Sequence, residues 1–69
     1  MFTVTRVYND GSVVKRVFAT EAEAEAEVRH NQVLRFGCAT FLGHDCRWTG
    51  YLSDNRCKAI GEELRREGL

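Results

Sequence analysis

Proline is absent from the 69 residues, the six glycines are scattered, and no linker, repeat or low-complexity block interrupts the chain. Long apolar runs are missing too. The longest are two or three residues, such as Val17-Phe18-Ala19, so no transmembrane helix or signal peptide is expected, and no lipidation motif is expected either. Neither sign of charge is in excess: ten basic residues balance ten acidic ones. A dedicated nucleic-acid or membrane-surface binder normally shows a basic surplus. Cysteine is sparse, with three residues, an odd number, and none in a CxxC. A secreted disulfide framework is even and denser, so the expected home is a reducing cytoplasm.

What remains is 43% hydrophobic and 29% charged, the composition of a folded chain and not of a disordered one. Residues 1–69 make one compact domain at most. A chain this short buries only about 60% of its extended surface. It gains from a partner, a metal, a disulfide or a second copy.

Residues 2–8, FTVTRVY, alternate and are rich in β-branched and aromatic types, which predicts a strand. Asp10-Gly11 supplies a tight turn, and residues 13–18, VVKRVF, return. A two-residue turn would set Arg6 opposite Lys15, a like-charge pair, whereas a three-residue loop pairs Arg6 with Val14. In either register Phe2, Val4 and Tyr8 share the expected core face.

The stretch TEAEAEAEV, residues 20–28, alternates like a strand, but Ala and Glu are strong helix formers. Thr20 with Glu23 makes a capping box, and Glu21 and Glu23 suit the positive end of a helix dipole. A helix over about 20–34 is expected, with Ala22, Ala26 and Val33 on its buried stripe and the four glutamates split to two flanks. FGCATFL (36–42) and CRWTGYL (46–52) predict two more strands around a turn at Gly43-His44-Asp45. Ser53 or Asp54 caps a last helix over roughly 54–67, with Cys57, Ile60 and Leu64 inward and Gly61 allowing close packing. The order β-β-α-β-β-α implies an α+β fold: a four-stranded antiparallel sheet with two helices on one face.

Cys38, His44, Cys46 and Cys57 are the one set resembling metal ligands. Their spacing, C-x5-H-x-C-x10-C, matches no common zinc signature. A hairpin through 36–52 also holds Cys38 more than about 10 Å from Cys46. Cys57 can approach one of these cysteines but not easily both. Buried thiols acting as small hydrophobes are the simpler expectation, with a structural zinc domain as a third option. Cys46 beside His44 has the letters of a nucleophile and base without a third group or a cleft. No enzyme activity and no cofactor are expected.

Arg47, Tyr51, Arg56 and Lys58 offer cations and a stacking ring for RNA or DNA. Nearby carboxylates, such as Glu62 four residues before Arg66, offset much of that charge. The glutamates of the first helix present four negative charges in two turns. Such a face speeds encounter with a basic groove on a partner.

The passage GSVVKRVFATEAEAEAEV and the short strand after it resemble small phage proteins of β-β-α-β organisation, anti-CRISPR proteins among them. The resemblance covers residues 3–42 and carries no functional residue across. It implies a phage or mobile-element inhibitor that covers a surface of a host protein complex, a CRISPR effector being one such complex. The leading expectation is therefore a non-enzymatic interaction protein acting by steric occlusion. Its contacts would be Glu23 and Glu27 on the helix flank, and Arg47 and Tyr51 on the side of the fourth strand opposite Trp48. A nucleic-acid module is the alternative. A homodimer through a strand edge or the open sheet face is expected on size grounds.

Overall fold

The computed structural model describes residues 1–33, 37–50 and 52–69, with Val33 described by its backbone only. Its elements run β1 (Phe2–Tyr8), β2 (Val13–Phe18), α1 (Glu21–Val33), β3 (Cys38–Leu42), β4 (Asp45–Thr49) and α2 (Asp54–Arg66). The strands form one antiparallel sheet in the order β2-β1-β3-β4. The class is α+β in the expected order. The expected first residue of the third strand, Phe36, lies outside the described residues, as does Tyr51 in the expected fourth. No helix among the described residues is long and apolar enough to cross a membrane.

The first hairpin shows why register follows turn chemistry. Gly11 sits at φ +92°, a conformation open to glycine at little cost. The Asp10 carboxylate accepts the Ser12 N–H at 2.8 Å, and that bond holds its pKa below the usual value. The resulting register sets Arg6 against Val14 and Thr5 against Lys15, so the two cations do not face each other.

Apolar side chains stand at both parities of the central strands. Val4 and Leu42 pair across β1 and β3 on one face, where they pack with Ala24 and Val28 of α1 and with Phe18. Val7, Ala39 and Phe41 point the other way and pack with Leu52 and with Cys57, Ile60 and Leu64 of α2. The helices therefore cover opposite faces, not one, and the fold has three layers. The physical reason is visible in β3, CATFL, all of whose residues are buried; a strand apolar on both sides needs cover on both. The chain path agrees. β2 and β3 are both antiparallel to β1, so α1 is the crossover between two parallel strands, and α2 returns from the far edge across the other face. Val4 is buried as expected, but Phe2 is 36% exposed and Tyr8 is half-buried.

Helix α1 starts where expected. The Thr20 hydroxyl accepts the Glu23 N–H at 3.3 Å, and the Thr20 carbonyl accepts from Ala24. Its buried face is a correction: Ala24, Val28 and Asn31 are inward, while Ala22 and Ala26 are exposed. Val33's side chain lies outside the described residues. Alanines spaced by two are spread around a helix and define no stripe. Val28 is the one larger apolar residue over 21–31, and its i−4 and i+3 neighbours are buried with it.

Helix α2 matches expectation closely. Ser53 is the N-cap, its hydroxyl accepting the Arg56 N–H at 3.3 Å. Cys57 and Leu64 are buried. Gly61 lies so close to the β3–β4 turn that a Cβ there would stand 2.9 Å from the His44 carbonyl oxygen.

Candidate functional site

Strand β2 lies at an edge of the sheet, and residues 13–17 are exposed along its whole length. Val13 is 54% exposed, Val14 37% and Val17 58%. The valines divide between faces, Val13 and Val17 on the α2 side and Val14 on the α1 side, as pairing with β1 dictates. An exposed β-branched edge is a template for another strand, which proteins normally blunt with charge. Lys15 and Arg16 are the charges available here, and both are drawn back onto the body of the domain. Lys15 Nζ reaches the carboxylate of Glu67, the C-cap of α2, at 3.1 Å. Arg16 Nη1 reaches Glu27 of α1 at 3.3 Å, and its guanidinium lies 5.5 Å from the centre of the Phe18 ring. Both cations stay about half exposed, at 43% and 57%, so the rim is shared between these tethered charges and the valines.

The expected contact residues do not come together. Glu23 is exposed, on the same flank of α1 as Glu27, beside β2. Glu27 itself is 13% exposed and committed to Arg16. Arg47 lies at the opposite edge, its guanidinium 3.7 Å from Glu25. Simple alternation places Arg47 on the side opposite Trp48. A bulge in β4 overturns this, because Thr40 pairs with Trp48 and Phe41 with Cys46, leaving Arg47 as the extra residue. Its ion pair brings it to the α1 side, which Trp48 shares through Thr40. Tyr51 lies outside the described residues. The glutamates do split to two flanks, Glu27 toward β2 and Glu25 toward β4.

The basic set for nucleic acid is likewise divided. Arg47 serves the α1 side, while Arg56 and Lys58 sit on α2, across the sheet. The missed residues are Val13, Val14 and Val17. VVKRVF shows three β-branched residues on both faces of a strand, while the missing second neighbour is visible only in the assembled sheet.

The thiols also separate. Cys38 pairs with Tyr8 and shares the α1 face, whereas Cys46 pairs with Phe41 on the α2 face. Cys57, one turn into α2, packs in the cluster that contains Phe41. No cluster of three or more His, Cys, Asp or Glu suited to a metal occurs among the described residues. His44 is not a free turn residue: Nδ1 lies 2.8 Å from the Leu69 carbonyl oxygen, and Nε2 is 3.4 Å from the Asp45 carboxylate. An open cleft of about 260 Å³ runs between β4 and α2, lined by His44, Cys46, Cys57, Lys58 and Arg65 among others.

The chain matches no protein-family model, no curated protein and no solved structure.

Proposed function

We propose that this chain is a protein-interaction module that works by covering a surface of a larger protein complex, with β2 as its docking edge. One observation carries the reading: an edge strand exposes three valines while its two cations are held by Glu67 and Glu27. A strand added there gains main-chain hydrogen bonds for affinity, and alternate side chains reading Val13 and Val17 give specificity. Glu23 stands at the rim, where an exposed carboxylate tunes encounter rate and partner choice.

The partner best suited to this edge is a different protein. Two copies joined antiparallel at β2 would bring two Lys15–Arg16 pairs within one strand spacing, about 4.8 Å, and like charges placed opposite are unfavourable. The likeness of residues 3–42 to small phage inhibitors supplies the mode of action: occlusion of a host complex, such as a CRISPR effector.

The test compares the tagged chain with its Val14→Lys/Val17→Lys variant, both purified from the host under identical conditions. The reading expects a stoichiometric protein with the parent chain and its loss in the folded variant. Retention by the variant, or no partner with the parent chain, contradicts it. A sedimentation experiment showing a dimer that Val17→Lys dissociates would make the occupant a second copy and overturn the choice of a different protein.

A further inference from the structure

Cys46 and Cys57 take no part in the docking edge, yet the fold places them at one seam. Cys46 projects from β4 on the face that α2 covers, directly across from Phe41. Cys57 belongs to the hydrophobic cluster that contains Phe41. Both line the cleft between β4 and α2. Cys46 is exposed and Cys57 is buried, so one thiol is reachable from solvent and its neighbour is sheltered behind it. Cys38, on the other face of the sheet, is out of reach of both.

We propose that Cys46 and Cys57 form a reversible disulfide by exchange with a small-molecule disulfide of the glutathione class, fastening β4 to α2. The Cys46 thiolate attacks one sulfur of the small disulfide, making a mixed disulfide and releasing one small thiolate. The Cys57 thiolate then attacks the Cys46 sulfur, forming the intramolecular S–S bond and releasing the second small thiolate. Two protein S–H bonds are lost, one S–S bond forms, the small disulfide is reduced to two thiols, and these carry away the two protons. The reverse sequence, with excess small thiol, reopens the bond from the exposed Cys46 side.

The surroundings set the pace. Partial desolvation at the cleft wall and the adjacent Cys57 push the Cys46 thiol up to about 11, with Asp54 adding to the rise. His44, Asp45, Lys58, Glu62 and Arg65 complete the ring of titratable and charged groups around the cleft. Attack by Cys46 is therefore slow near neutral pH and speeds up as the solution becomes more alkaline, because the thiolate is the nucleophile.

The experiment incubates the purified full chain with oxidised glutathione at about pH 8.5, where thiolate exchange is practicable. Thiols are then counted in denaturant and intact mass is read. The expected product has one remaining thiol of the three, a mass lower by two hydrogens, no retained glutathione and a peptide link joining Cys46 to Cys57. Dithiothreitol restores all three thiols. In the Cys57→Ser variant the reaction halts at glutathione attached to Cys46. In the Cys38→Ser variant the disulfide forms as in the parent chain. A link involving Cys38, a parent chain that retains glutathione on Cys46, or three thiols surviving the treatment would each overturn the proposal. If Cys57→Ser does not fold, the parent chain and Cys38→Ser decide the matter alone.

Discussion

The two edges of the sheet are guarded in different ways. β4 is short and bulged, and its Cys46 faces Phe41, which is wholly buried. The bulge breaks the run of pairing groups, so a further strand finds no regular partner there. β2 pairs without a break from Val13 to Phe18 on its inner side and offers its outer side along the same length. β2 carries Lys15 and Arg16 and β4 carries Arg47, and each is paired with a glutamate on or capping a neighbouring helix. Charge count alone does not tell an open edge from a closed one. The regularity of the backbone beneath the charges decides it.

The sharpest way to break the comparison is at the core beneath β4. Phe41→Ala is expected to cost about 3–5 kcal/mol, the usual loss for a buried aromatic. That is enough to abolish cooperative unfolding in a domain of this size, as urea titration by circular dichroism would show. A smaller effect is expected at the turn leading into β4. Gly61→Ala gains about 1 kcal/mol of helix propensity. The new Cβ, however, meets backbone oxygen at 2.9 Å, and such overpacking costs about 1–3 kcal/mol. A net loss, read as a lower urea midpoint, is the expected result. At β2 the same measurement should barely move: Val17→Lys changes stability by no more than about 0.5 kcal/mol, as surface substitutions usually do.

A pH dependence is expected on the β4 side alone. Cys46 releases its proton near 9.0 when unperturbed and at about 11 in the folded chain. Between those values the folded state holds the proton that the unfolded state has lost. Stability therefore falls as pH rises from 9.0 to about 11. The difference in urea midpoint between the parent chain and Cys46→Ser should shift across that window and stay level below it.

Much of the fold was legible because local signals agreed. The Asp10-Gly11 turn, the Thr20 and Ser53 caps and the apolar spacing of Cys57, Ile60 and Leu64 each specify one element. The placement of α2 was also encoded, in Val7 and in the unbroken burial of CATFL, but pattern reading favours a single inward face and passes over a strand that needs two. The buried face of α1 was hard to read for a different reason. Evenly alternating Ala and Glu leave the helix almost without a preferred side, and one residue, Val28, settles it. The candidate site was least legible. Edge position is a property of the assembled sheet, and no local pattern in VVKRVF states which strand will lack a neighbour. The approach of Cys57 to only one of the other thiols was foreseeable from strand length, while its choice of Cys46 depended on which face α2 took.

The most direct test of the docking edge is backbone amide exchange along Val13–Phe18, measured for the chain alone and for the complex purified with its partner. The account predicts new protection at alternate β2 amides that face away from β1, with α1 and β4 unchanged. Protection that instead appears on the glutamate flank of α1 or along β4, with β2 still exchanging freely, would contradict it.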